Sequence, residues 1–212
     1  MAALCLDYIL GDPWSWLHPV QVMGWYITAW NKFTWKYLAN PIASKAAGIG
    51  LWGTLVLGCG LGSWAFLHYL QMWQPIVAKI LEVILLASCL AGKSLRQASE
   101  NVLEAINDLP EARQRLSKYV GRDTEQLTAP EIYRAILETV AENSVDGVTA
   151  PWFYALLGAS IPGIGAVPLA LAYKAASTLD SMVGYLREPY KDLGWASAKL
   201  EDILTLAQPK SL

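Results

Sequence analysis

The sequence predicts an all-α, integral-membrane fold with a cytoplasmic helical insert, and three observations carry that reading. Of the 212 residues, 16% are charged and 54% hydrophobic, whereas an ordinary globular chain carries about 25% charged residues. Such a deficit leaves too little charge to cover a soluble surface of this size. Trp and Tyr number 10 each against 3 Phe, a bias toward rings that place an apolar body and a polar tip at a membrane interface. Between Lys45 and Lys79 there is no Asp, Glu, Lys or Arg. No period-two alternation persists, so strands are not expected. A net charge of −2 lacks the basic footprint of a nucleic-acid partner. Cys5, Cys59 and Cys89 show no metal-binding or CxxC spacing and read as buried small hydrophobes.

The elements follow in order. Residues 1–10, MAALCLDYIL, lack a basic flank and carry Asp7, so they do not read as a secretory signal. Their length suits a partial or interfacial helix, or the end of an element that starts upstream. Residues 14–38 hold five Trp along with Lys32 and Lys36. They read as a helix lying in or entering the interface, with a soluble amphipathic helix as the alternative. Residues 48–70 are long enough to cross a core of about 30 Å at about 1.5 Å per residue. Their glycines suit close helix approach in lipid. Residues 75–92 form a second apolar run in which Lys79 and Glu82 are spaced to pair. The short 71–75 connection makes 48–92 a transmembrane hairpin. Lys32, Lys36 and Lys45 precede it and Lys93 and Arg96 follow. By the positive-inside rule, 1–45 and 93 onward lie in the cytoplasm of a multi-pass plasma-membrane protein.

Residues 93–146 change character, with seven basic and seven acidic residues between 93 and 134. Leu95, Ala98, Val102 and Ile106 recur at helical spacing. Asp108-Leu-Pro-Glu111 and Thr128-Ala-Pro-Glu131 both have the form of a capping box, and Gly121 is the expected stop of the helix that starts near 109. This is the polar helical insert. Residues 147–173 are apolar again but carry Pro151, Pro162 and Pro168, and read as a broken helix or re-entrant pair. A polar part, 174–212, closes the chain.

Candidate chemistry falls in four places. Glu131, Arg134, Glu138 and Glu142 share one helix face, and Asn143 and Asp146 extend it. Carboxylates a turn apart suit Mg²⁺ with phosphates completing its shell, or a general base; a solvated face with an Arg134–Glu138 pair is the plainer reading. Asp7 and Asp12 flank a turn that His18 follows, and an acid within an apolar stretch needs a partner. Arg122, after Gly121 and beside Asp123, suits a phosphate clamp or a local ion pair. Asp180 and Lys174 are six residues apart and not on one face. Ala91-Gly92-Lys93-Ser94 ends like a phosphate-binding loop, but Ala87 stands where that motif needs glycine and an apolar helix precedes it. The motif is therefore rejected.

Taken in order, LDYILGDP (6–13) with HPV (18–20), LSKYVGRDT (116–124), ETVAENSVDGVTAPWFYALLG (138–158), AYKAASTLDSMVGY (172–185) and GWASAKLEDIL (194–204) resemble the CobD/CbiB family of cobalamin biosynthesis. The resemblance implies an integral-membrane amide ligase that joins adenosylcobyric acid to (R)-1-aminopropan-2-ol or its O-phosphate, with ATP as co-substrate and Mg²⁺. It implies that Glu138, Glu142 and Asp146 hold Mg²⁺ and the ATP phosphates, with one of them as base. Arg122 would clamp phosphate with support from Asp123, Asn143 would orient substrate, and Asp12, His18 and Asp180 would complete the site. Its implied partners are the bilayer, the corrinoid and the amine, with a homo-oligomer or a complex with other corrinoid enzymes beside them. Members of the family continue through further apolar segments, so the resemblance implies a C-terminally short form. Leu186 and Pro189 stand where Lys and Arg are common in the family, and the closing residues diverge. Two other readings stand beside the ligase: a truncated, non-catalytic scaffold for corrinoid enzymes, and a small transporter.

Overall fold

The computed structural model describes residues 1–11, 18–38, 40–185 and 188–204. Every regular element among them is helical: α1 (Ala2–Leu10), α2 (Pro19–Tyr37), α3 (Pro41–Trp73), α4 (Pro75–Ala87), α5 (Gly92–Leu103), α6 (Leu109–Leu116), α7 (Ala129–Ser144), a π-helical turn (Val145–Thr149), α8 (Ala150–Ser160), α9 (Ala166–Val183) and α10 (Trp195–Leu204). Proline lies in the first turn of α2, α3, α4, α6, α7 and α8. There its missing N–H costs nothing and its fixed φ suits the helix. The protein is an all-α membrane protein.

Two stretches, Pro41–Trp73 and Pro75–Leu103, are long and apolar enough to cross a membrane. Just 17% and 22% of their apolar windows are buried, whereas the core helix of a soluble protein would be mostly covered. Leu57, Leu61, Phe66, Ile76 and Ile80 all face outward. The second stretch is not one straight helix. α4 ends at Ala87, and a turn over residues 88–91 separates it from α5, so the regular helix is shorter than the 75–92 expected from hydropathy.

α9 is the centre of the main core and packs against α2, α3, α4, α8 and α10. Its alanines, with Ala170, Ala175 and Ala176 all buried, let neighbours approach closely. The expected boundary at 173/174 crosses no break, because α9 runs through it and Leu179 and Val183 are also fully buried. Gly48 faces the Leu193 carbonyl so closely that a Cβ there would collide with it. Lys45 pairs with Asp192 at 3.5 Å and Trp35 packs edge-on to Tyr190 at 5.4 Å, which fastens the segment after α9 to α2 and α3.

A second, separate core lies under α5, α6 and α7, built from Val102, Ala105, Ala112, Leu116, Ile132, Ala135 and Ile136. Arg115 links its helices, bonding the Asn101 carbonyl and Glu111, each at 2.8 Å. Of the two expected capping boxes, the one at Thr128 is complete. The Glu131 carboxylate accepts from both the N–H and the hydroxyl of Thr128 at 2.7 Å. At Asp108 the side chain accepts from Glu111 N–H, but Glu111 turns to Arg115 instead of closing the box. α6 ends at Leu116, earlier than Gly121, through Leu116 and Arg113 carbonyls that accept from the turn after it.

Residues 129–160 form one continuous helical run despite Pro151. Proline has no N–H to return to the carbonyl four residues back. That carbonyl, Gly147 O, accepts instead from Ala91 N–H at 2.8 Å. The run ends at residues 161–165, where Gly163 and Gly165 have φ of 83° and 86°, a region open to glycine. Of the three cysteines, Cys89 is buried and Cys59 partly so, but Cys5 is exposed.

Candidate functional site

The turn between α4 and α5 is gripped from two sides. Ala91 N–H goes to the Gly147 carbonyl in the π-helical turn. Gly92 N–H goes to the carboxylate of Asp7 on α1, at 3.1 Å. The approach is close at Gly92, where a Cβ would lie 2.8 Å from Asp7 Oδ2 and push that carboxylate aside. This use of the Gly92 N–H supports rejecting a phosphate loop here, because the backbone donor such a loop would offer already holds a carboxylate.

What this grip creates is a cavity of about 800 Å³. Its walls carry Lys93, Ser94 and Gln97 from α5, Lys174 from α9, and His18 and Gln21 at the start of α2. Lys93 Nζ donates to the Ile9 carbonyl at 2.8 Å, and His18 caps α2 by accepting from Val20 N–H at 3.3 Å. Two lysines, a histidine and several neutral polar residues therefore line one space. Such a wall suits an anionic, phosphate-bearing or carboxylate-bearing ligand. Next to it, sharing Ala91, Ser94, Ala98 and Tyr119, is an apolar pocket of about 390 Å³ that also includes Val140 and Asn143.

The model of the CobD/CbiB protein family matches residues 1–208. The chain belongs to the CobD/CbiB family. It is 50% identical over 202 residues to the cobalamin biosynthesis protein CobD of Synechocystis sp., covering 94% of this chain and 59% of that protein. To the cobalamin biosynthesis protein CbiB of Salmonella typhi it is 43% identical over 204 residues, covering 95% and 61%. The CobD of Photorhabdus laumondii is likewise 43% identical over 204 residues, covering 95% and 62%. The chain thus spans about three fifths of the length of these relatives. No solved structure matches.

Among the described residues, candidates from the CobD/CbiB blocks line three different pockets. His18 lines the main cavity and Asn143 the pocket beside it; Asn143 also donates to the Thr139 carbonyl at 2.8 Å. Arg122 and Asp123 line a separate pocket of about 530 Å³ on the insert. There Arg122 reaches across to Glu138 at 2.6 Å, while Arg134 holds the other oxygen of Glu138 at 2.7 Å. The Arg122 hydrogen bond, then that of Arg134, keeps the Glu138 carboxyl below its ordinary value. The plainer reading's Arg134–Glu138 pair is thus present, and Arg122 joins it so that two guanidinium groups share one carboxylate. Asp123 Oδ1 accepts from Glu125 N–H and shapes the turn.

Asp146 sits in the π-helical turn and accepts from the Tyr173 hydroxyl at 3.2 Å. π-Helical turns often mark functional sites. Glu142 is exposed, and Asp180 is buried within α9. Asp12 lies outside the described residues. Among the described residues, no three His, Cys, Asp or Glu side chains gather to hold a metal ion, so Glu138, Glu142 and Asp146 do not form a cation cage in this geometry. Of the polar residues that line the main cavity, the sequence named Lys174 beside Asp180 without giving it a role, met Lys93 and Ser94 only in the rejected loop motif, and did not single out Gln97. Their signal was present in two places, a rejected loop motif and an isolated lysine in an apolar helix.

Proposed function

We propose that the protein is an ATP-dependent amide ligase of cobalamin biosynthesis, joining adenosylcobyric acid to (R)-1-aminopropan-2-ol or its O-phosphate. Family membership supports the pathway, and one observation supports the chemistry: Lys93 and Lys174 face a single cavity at the junction of the apolar bundle and the polar insert. A carboxylate does not condense with an amine unaided. Its oxygen attacks the γ-phosphorus of ATP, ADP leaves, and the resulting acyl phosphate is open to the amine. The amine nitrogen then attacks the acyl carbon, phosphate leaves, and the ammonium proton passes to a base. Fixed cations stabilise the charge that builds on the transferring phosphoryl group, and a closed wall holds the amine near the acyl carbon.

In this proposal Lys93 and Lys174 neutralise phosphate charge, His18 takes the proton, and Asn143 orients substrate from the neighbouring pocket. Glu142 and Asp146, on the face that continues from that pocket, assist the nucleotide. Arg122 and Glu138 tie the 122–125 turn to α7 and keep it available as an outer phosphate contact with Asp123. Asp180, buried in α9, completes the site from the same helix as Lys174. Mg²⁺ would accompany the nucleotide and offset phosphate charge, with Glu142 and Asp146 as the carboxylates that would help to hold it. The bundle lies in the plasma membrane with the insert in the cytoplasm, where ATP is found, and the protein works as a homo-oligomer or beside other corrinoid enzymes.

The test is conversion of adenosylcobyric acid plus aminopropanol, and separately its phosphate, with ATP and Mg²⁺ by the detergent-purified protein, followed by mass spectrometry. Amide product is expected, with Lys174→Gln and Glu142→Gln lowering turnover at least tenfold while leaving the fold unchanged. Folded protein that yields no amide, or a fully active Lys174→Gln enzyme, would overturn the assignment.

A further inference from the structure

Asp7 is a carboxylate at 5% exposure on a nine-residue helix that is otherwise mostly apolar. A charge in that position is costly unless it is bonded. Its Oδ2 accepts from Gly92 N–H, which places an anion at the positive end of α5. The two residues that follow also bind α5. Tyr8 accepts from Arg96 Nη1 at 2.8 Å through its hydroxyl and lies under that guanidinium at 5.2 Å. The Ile9 carbonyl, in the last turn of α1 where carbonyls lack helical partners, accepts from Lys93 Nζ. Gly11 then turns the chain with φ of 60° against the Lys93 stem, where a Cβ would lie 2.6 Å from Lys93 Cδ.

We infer that Asp7 is a positioning residue for the anion site: by holding the α5 N-terminus it sets the direction in which Lys93 faces the cavity. Asp7 is not part of the cavity wall and touches no ligand, so it acts through Gly92 and Lys93. Without the carboxylate, the first turn of α5 keeps its link to Gly147 and the side-chain ties from Lys93 and Arg96 to α1, but loses the bond to its first backbone N–H, which anchors the residue next to Lys93. The inference rests on the reading that this cavity takes phosphate.

ATP is the probe, titrated calorimetrically into the detergent-purified chain. Lys93→Gln should weaken ATP binding at least tenfold, and Asp7→Leu by a similar factor. The double variant should bind no worse than the weaker single one, because both changes remove the same contribution. Asp7→Asn, whose amide oxygen can still accept from Gly92, should recover most of the affinity. Arg96→Gln, which cuts the neighbouring tie to Tyr8, should lower the melting temperature and leave ATP affinity unchanged. Wild-type affinity in Asp7→Leu, or losses that multiply in the double variant, would remove the positioning role. An Arg96→Gln protein that loses affinity as much as Asp7→Leu would reduce Asp7 to a general structural contact. If neither Lys93→Gln nor Lys174→Gln alters ATP binding, the phosphate reading of the cavity falls, and the role of Asp7 falls with it.

Discussion

At the scale of single residues, Glu138 is the position where charge reading and geometry can be separated. Its carboxyl is held below the ordinary range, first by Arg122 and then by Arg134. A depressed folded-state value means the tie contributes stability at pH above the ordinary glutamate range and loses it as pH falls through the lowered value. Glu138→Gln should therefore melt below the wild type at neutral pH, with the difference shrinking to nothing in acid. A constant difference across that range would show that the ion pair is not its source. Gly48 makes a second residue-scale case. A methyl there collides with the Leu193 carbonyl, so Gly48→Ala should cost about 1–3 kcal/mol in a denaturant titration. Pattern reading identifies several such residues by type and not by partner. It marks Asp7 as an acid in need of a partner, but that partner is a backbone N–H 85 residues away, which no local spacing reveals. It places Glu138 and Arg134 together because i and i+4 meet on a helix, and has no means of bringing in Arg122 from another segment.

At the scale of elements, the all-helical class and the two apolar stretches are legible because hydropathy and charge gaps report burial in lipid directly. The midpoint of α3 is Leu57, which is 56% exposed. Leu57→Arg should raise the apparent insertion free energy of residues 41–73 by about 3 kcal/mol, measurable by glycosylation mapping in microsomes; insertion unchanged by that substitution would argue that α3 does not span. The start of α7 is legible as well, since Thr128 and Glu131 form a local motif. Thr128→Ala should cost about 1 kcal/mol in a urea titration of the folded protein. Prolines mislead where they stand for helix starts or where a tertiary bond replaces the missing donor. Pro151 does not interrupt the run from α7 to α8, because Ala91 satisfies the carbonyl that Pro151 leaves. The end of α4 at Ala87 is not legible either: the sequence stays largely apolar through Leu90, and the turn is fixed by Asp7 and Gly147 from outside.

At the scale of the whole molecule, two hydrophobic cores stand apart, one around α9 and one under α5, α6 and α7. The cavity of Lys93 and Lys174 lies at their seam, touching α2 and α9 on one side and α5 on the other. Binding there should raise the melting of both parts together, since a ligand that contacts the folded state alone shifts unfolding by mass action. Calorimetry with saturating ATP should show a single sharper transition; two transitions that move independently would place the ligand within one core. The main chain crosses that seam twice, outward through the turn at 88–91 and back through the π-helical turn that joins α7 to α8. The hydrogen bond from Ala91 to Gly147 clasps the two crossings side by side. A substitution within either core is felt mainly by its own neighbours, which can repack around it. A substitution at the clasp has no such freedom, because both strands of the connection are held there at once. The protein therefore joins its halves through few connections: a disturbance of the membrane bundle, whether from lipid composition or from a neighbouring chain, would reach the polar insert through this pair of crossings and through α1, which packs on both α4 and α5.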